Sequence, residues 1–300
     1  MNSWLRKNGT LLLKIAGTLL AIGLLVFLLS QYGTEEIAQK LSLISPGTFA
    51  LAAVCIVFSR LFITARWHVL LRSGGINIPF KHTLSLVFMG LFSNNFLPTT
   101  IGGDVVRLAG AIQLGYDNAL ILASIAADRV INMIGMSLAA PLGLWQLASA
   151  GALFQSFSLG GLYTKGLDFA TKTFRSFSLW LKKPWALSTA LLFALIHMLF
   201  SFGANYVLIV GMGEHISFWK IIGLSSLAYF VSLMPFSING YGVQELTVSF
   251  LLSSIGGISL PTAASTAVIH RLIMMSVSLP GAFTLPGVMS KMDRNKPENS

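Results

Sequence analysis

Charge is scarce in this chain: charged residues make up 10% of 300, against about 25% in an average soluble protein. That shortage excludes a soluble enzyme, a coiled coil and a disordered chain, all of which keep a polar surface in water. Cysteine is scarcer still. Cys55 stands alone inside an apolar run, which leaves no disulfide framework and no cysteine-rich metal site. The five histidines are scattered, and there is no G-x-x-x-x-G-K-[ST] phosphate loop, no H-E-x-x-H zinc motif and no G-x-S-x-G nucleophile elbow. No metal or cofactor is therefore expected, and any transport must run without ATP hydrolysis by this chain.

What is abundant is apolar surface. Apolar residues reach 54% and the mean hydropathy is +0.76, the composition of an integral helical membrane protein. The net charge of +10 does not indicate a nucleic-acid partner, because no basic stretch is interleaved with aromatics. Lys and Arg in such a chain mark cytoplasmic loops.

Long apolar runs occur at Leu11–Ser30, Thr48–Leu71, His82–Leu97, Ala119–Trp145, Trp185–Gly211, Ile216–Met234 and Pro261–Leu285. A membrane helix needs about 20 such residues, so most suffice and the third is short. The first follows Arg6 and Lys7 and reads as a signal anchor with a cytoplasmic N-terminus. Gly103–Gln113 and Val243–Ile255 reach only about half a bilayer and read as re-entrant or broken helices. The expectation is an all-α polytopic membrane protein, one membrane domain over residues 1–300, with about 7–8 transmembrane helices. Arg72 and Lys81, and the basic linker 146–184, fall on the cytoplasmic side. A count of seven crossings, however, leaves Lys291, Arg294 and Lys296 of the polar tail 286–300 outside. One more crossing, by Val243–Ile255 or within Ala150–Tyr163, would return that tail to the cytoplasm.

The chain also matches itself. Ile78-Pro79-Phe80 answers Ile216-Ser217-Phe218, and Pro98 to Gly103 answers Pro235 to Gly240. Further on, Asp128-Arg129 answers His270-Arg271. Residues 48–145 form repeat A and 185–285 repeat B, each with two long helices, a Pro/Gly break, a short helix and another long helix. An odd number of crossings per unit would turn the copies opposite ways in the membrane, an inverted repeat. Such repeats with interrupted segments in corresponding positions point to a transporter's central site, although an old duplication serving packing alone leaves the same trace.

Ionisable groups inside the apolar runs need a partner or a purpose. Arg66 and Arg72 are expected to snorkel to the cytoplasmic headgroups, whereas Arg60 lies too deep for that. In the first break, Pro98 stops the helix, Gly102 and Gly103 permit the bend, and Asp104 enters the first turn of a short helix with Arg107 on the same face. A simple N-terminal cap is the competing role for Asp104. In the second break, Pro235, Gly240 and Gly242 do the same work, Asn239 adds a neutral hydrogen-bonding group, and Glu245 follows. Glu245 lies too far beyond Gly240 to serve as a plain cap. Adjacent helical residues point about 100° apart, so Asp128 and Arg129 should not pair with each other. Two arrangements stay open. Either Arg129 and Arg271 join Asp104 and Glu245 around a shared cavity, or separate helix-to-helix ion pairs hold the bundle together.

Taken in order, N-x-x-P-x-x-x-G-G-D-x-x-R from Asn95 to Arg107, Asp128-Arg129, P-x-S-x-x-G-x-G-x-x-E from Pro235 to Glu245, and Arg271 resemble the lysylphosphatidylglycerol synthase transmembrane family. That family is also described as the flippase-like domain of multiple peptide resistance factors. The resemblance implies a bacterial inner-membrane protein that moves a phospholipid, such as aminoacylated phosphatidylglycerol, or a lipid-linked molecule between leaflets. It carries over Asn95, Asp104, Arg107, Arg129, Asn239, Glu245 and Arg271 as substrate-path residues. The chain ends at Ser300, so the resemblance covers the flippase-like module without its transferase domain. The implied partners are membrane lipids and a separate lipid-modifying enzyme. The alternatives are a membrane-embedded transferase or accessory subunit, disfavoured by the lack of a donor-binding motif, and a non-catalytic envelope scaffold.

Overall fold

A computed structural model describes residues 23, 39–40, 42–97, 102–151, 180, 182–233 and 242–283. The run Leu11–Ser30, the break residues Pro98, Pro235, Gly240 and Asn239, most of the linker and the tail from 286 lie outside the described residues. Every described element is helical. In chain order they are α1 (Pro46–Ser73), α2 (Phe80–Asn94), α3 (Gly102–Gln113), α4 (Asn118–Ser149), α5 (Pro184–Gly211), α6 (Phe218–Ser232), α7 (Val243–Ser254) and α8 (Leu260–Ser278).

Local chemistry sets the ends. Ser45 accepts from the Thr48 N–H (3.0 Å) and Pro46 opens α1; Asp117 accepts from the Leu120 N–H (2.8 Å) and caps α4; Ser259 caps α8 with proline again in its first turn. These side chains satisfy amides that no helical carbonyl reaches, and proline loses nothing there because its missing N–H is one of those amides.

Among the described residues four helices are long and apolar enough to cross a membrane: α1, α4, α5, and α8 carried on to Phe283. Their burial is inverted relative to a soluble protein. Leu51, Val54, Leu138, Leu192 and Leu272 are exposed, while Arg66, Asp128 and Glu245 are buried. Apolar faces outward and charges inward suit a lipid solvent.

The four short helices form two side-by-side pairs. α3 doubles back along α2: the Gly103 N–H donates to Asn94 Oδ1 (2.7 Å), and one turn further Gly90 lies against Arg107. A Cβ on Gly103 would fall 2.4 Å from the Gly90 carbonyl oxygen, so the two backbones touch only because both residues are glycine. In the same way α7 doubles back along α6, with Lys220 Nζ donating to the Gly256 carbonyl (3.3 Å). At 15 and 12 residues, these helices span only about 22 and 18 Å.

The repeat is visible in three dimensions. The first three helices of each half are 28, 15 and 12 residues long. α1 and α5 run antiparallel: Thr48 at the start of α1 meets Gly211 at the end of α5, and Lys183 before α5 reaches the Ser73 carbonyl at the end of α1. Pro184 follows Pro46 by 138 positions, and at the crossing residues that far apart meet each other. Ser59 and His197 share a hydrogen bond (2.7 Å), and the Phe62 and Phe200 rings stack 5.7 Å apart. Equivalent positions touching where antiparallel helices cross is the mark of a two-fold relation perpendicular to the bundle.

That relation sends the helix pairs in from opposite ends. α2 starts beside the α1–α5 junction of Ser73 and Lys183, whereas α6 starts beside the junction of Thr48 and Gly211. Gln146 near the end of α4 donates to the Trp219 carbonyl (3.0 Å), so α4 finishes at the second end and α5 begins at the first. α7 lies back along α6 rather than continuing away from it. Arg72, Lys81, Lys182 and Lys183 gather at the first end. At the other end Glu214 accepts from Lys40 Nζ (2.9 Å), Thr262 Oγ1 (2.7 Å) and the Ser259 N–H (2.8 Å). Burial opposes its ionisation, but the bonds from Ser259, Lys40 and Thr262 prevail and hold its carboxyl at about 2.

Candidate functional site

The two helix pairs contribute to one cavity. Asn94, Asn95 and Asp104 from the first and Leu233, Gln244 and Glu245 from the second line one cavity of about 370 Å³. Its remaining walls include Arg60 and Arg66 from α1, Asp128, Arg129 and Asn132 from α4, His197 and Asn205 from α5, and His270 and Arg271 from α8. Each of these lies in the central part of a long helix, so the cavity sits midway along the bundle.

The carboxylates reach it by one local device used twice. Asp104 is the third residue of α3 and Glu245 the third of α7. Free amides and the positive end of the helix dipole gather in a first turn and favour a negative charge there. Glu245 Oε2 also accepts from the Gly242 N–H (2.8 Å), and Gly242 takes a φ of 76° that side chains resist. This corrects the expectation that Glu245 is badly placed to cap. The helix begins at Val243 rather than near Gly240, so Glu245 caps it and faces the cavity as well.

Each carboxylate holds an arginine from the fourth helix of its own repeat. Arg129 Nε donates to Asp104 Oδ2, and Arg271 Nε donates to Glu245 Oε1, with Gln244 Oε1 accepting from Arg271 Nη2 (2.7 Å). Repeat A continues the network inward. Arg107 Nη1 donates to Asp104 (3.1 Å), its Nη2 donates to Asp128 (3.3 Å), and its guanidinium lies 4.0 Å above the Trp67 ring. Arg66 Nε donates to Asp128 Oδ1 (2.6 Å) and its Nη1 to Asn132 Oδ1 (2.7 Å).

Of the substrate-path residues, Asp104, Arg129, Glu245, Arg271 and Asn95 all line the cavity, and Asn95 donates to Ser278 Oγ on α8 (2.8 Å). Arg107 stands behind the wall, bracing both aspartates. Gly102 and Gly103 open α3, and Asn239 lies outside the described residues. The snorkelling expected of Arg66 is overturned: its side chain is 5% exposed and turned inward. Length and position allowed the snorkel, but Asp128 on the facing helix offers a counter-charge that water would not better. Asp128 and Arg129 do avoid each other: Asp128 bonds to Arg66 and Arg107, and Arg129 bonds to Asp104.

The polar wall is richer than the sequence suggested. Asn94, Asn132, Asn205, Gln244 and Tyr229 also line the cavity. Asn132 was findable, since it lies one turn after Asp128 on the same helix face. Tyr229, whose hydroxyl accepts from Asn132 Nδ2 (3.1 Å), resembles any other aromatic of an apolar run.

A family model described as "Lysylphosphatidylglycerol synthase TM region" matches residues 14–281, nearly the whole chain. The chain belongs to that family and is a multi-pass membrane protein. It is 24% identical to a "UPF0104 membrane protein" of Methanothermobacter thermautotrophicus, with 94% of this chain and 96% of the relative aligned. It is 29% identical to the "UPF0104 membrane protein PH1989" of Pyrococcus horikoshii, over 39% of this chain and 36% of that one.

Proposed function

We propose that this member of the lysylphosphatidylglycerol synthase TM region family moves a phospholipid or lipid-linked molecule between leaflets of the cell membrane. The observation that carries the reading is that two helix pairs, starting from opposite ends, place equivalent Arg–carboxylate pairs on one cavity midway along the bundle. In a membrane these pairs are re-entrant hairpins. A headgroup in the cavity is flanked by arginines, carboxylates and amides that replace its water, while acyl chains remain in lipid. The ion pairs supply two gates related by the repeat: opening Arg129 from Asp104 admits the headgroup from one side, and opening Arg271 from Glu245 admits it from the other. A transporter needs such a duplicated, mirrored site, and a packing role does not.

No covalent step is assigned, and the partners are the lipids themselves together with a separate enzyme that modifies them. The membrane is that of a prokaryote, since the aligned relatives are archaeal and the bacterial resemblance covers the same residues. The test is leaflet exchange in proteoliposomes carrying fluorescent phospholipid. Wild type should exchange the lipid, and Asp104→Asn plus Glu245→Gln should not; equal rates end the reading.

A further inference from the structure

Arg60 is set apart from the other arginines of the cavity. It lies midway along α1, is 9% exposed and lines the cavity. Among the described residues no carboxylate or hydrogen-bond acceptor meets its guanidinium; the bond from Thr64 nearby goes to its main-chain carbonyl (3.0 Å). The charge it feels is the like charge of Arg271, and the neighbouring His270 keeps a buried Nδ1 that has no partner among the described residues. A buried cation held without a counter-ion is costly, and inside a membrane such a group marks a ligand path.

The charge balance of the cluster agrees. Among the described residues, Arg60, Arg66, Arg107, Arg129 and Arg271 outnumber Asp104, Asp128 and Glu245 by two charges. The sequence between α2 and α3 (98–101) and between α6 and α7 (234–241) contains no Asp or Glu. A phosphomonoester carries roughly −1.5 to −2 at neutral pH and offers three acceptor oxygens to guanidinium groups. A headgroup with an added ammonium would instead bring more positive charge to a site already in excess.

We propose that Arg60 anchors the phosphate of the transported molecule, and that the substrate class is an anionic lipid with a terminal phosphate. The proposal rests on the translocation reading and names its cargo.

The experiment uses the purified full chain and four probes: short-chain phosphatidic acid, short-chain phosphatidylcholine, lysyl-phosphatidylglycerol and inorganic phosphate. Phosphatidic acid should bind at least tenfold more tightly than the other three, Arg60→Gln should weaken it about tenfold, and Arg60→Lys should keep most of it. Equal affinity for phosphatidylcholine, tighter binding of lysyl-phosphatidylglycerol, or an unchanged affinity in Arg60→Gln overturns the proposal. Inorganic phosphate binding as well as phosphatidic acid overturns the lipid assignment. Because Arg60 loses no partner, Arg60→Gln should melt at or above the wild-type temperature, and a clear fall overturns its unpartnered role. Leaflet exchange separates the two readings. Exchange of phosphatidic acid that ignores Arg60 sinks the anchor and leaves translocation standing, whereas Arg60-dependent binding without exchange does the reverse.

Discussion

Repeat A and repeat B build the same frame and wire it differently. In repeat A, Asp104 is held by Arg107 and Arg129, and the network runs on through Asp128 to Arg66 on α1. In repeat B, Glu245 is held by Arg271 with Gln244 beside it. His270 stands where repeat A has Asp128, and Val248 stands where it has Arg107. One half is a braced lattice of charge and the other a single clasp. The pairs also differ in access, since the Arg129 side chain is 39% exposed and that of Arg271 13%. Two halves related by a two-fold axis need not occupy the same conformation, and here the open pair belongs to the half that is braced from behind.

The comparison breaks most sharply at Asp128. Asp128→Asn strands Arg66 and Arg107 together, and removing one partner of a buried pair costs about 3–5 kcal/mol. Thermal unfolding should register that loss, while His270→Gln at the equivalent place in repeat B changes little. A similar cost for both would show that the halves are wired alike.

Next come the two gates taken singly. Each hydrogen bond to a charged group is worth about 1.5–3 kcal/mol. Asp104→Asn weakens bonds to two arginines and Glu245→Gln a bond to one, so leaflet exchange should fall at least about tenfold further in the first variant. Equal losses would mean that the bracing by Arg107 has no part in exchange.

A smaller effect is expected where the repeats swap contacts. α4 lies on α6 with Gly143 against Gly223, and Gly281, in the turn after α8, lies on α2 against Phe88. A Cβ on Gly143 would sit 2.4 Å from the Gly223 carbonyl oxygen, and one on Gly281 would sit 2.1 Å from that of Phe88. Gly143→Ala and Gly281→Ala should each lower stability by about 1–3 kcal/mol. A loss at only one of them would show that one contact is permanent and the other transient.

The smallest effect belongs to Glu214, which has no counterpart in the first repeat. Its folded-state carboxyl lies at about 2, below the ordinary 4.5. Its contribution is therefore complete above about pH 4.5 and fades as pH falls toward 2. Melting temperature measured between those limits should decline with acid, and Glu214→Gln should flatten that part of the curve.

The helices were legible because their causes are local. The apolar run Trp185–Gly211 and the helix Pro184–Gly211 differ by one residue, and Gly103–Gln113 and Val243–Ile255 emerge as short helices within a residue of either end. Asp104 and Glu245 were findable because a carboxylate just after a Pro/Gly break is anomalous in an apolar chain. Arg66 was misjudged for the opposite reason. From α1 alone a snorkel satisfies it, and only the approach of α4 offers Asp128. Gly242 was read as part of the bend, but its role as the turn that lets Glu245 cap α7 depends on where that helix begins.

Hydropathy, proline and glycine act over a few neighbouring residues, so the chain alone settled its lipid solvent, the lengths of its helices and the duplication that relates its halves. Which charge meets which was decided elsewhere. Ion pairs join residues 25, 26 and 62 positions apart, and their energies depend on distances that exist only once the helices of each half have packed. That no acceptor among the described residues meets the Arg60 guanidinium is such a fact too, set by what surrounds it in the folded bundle.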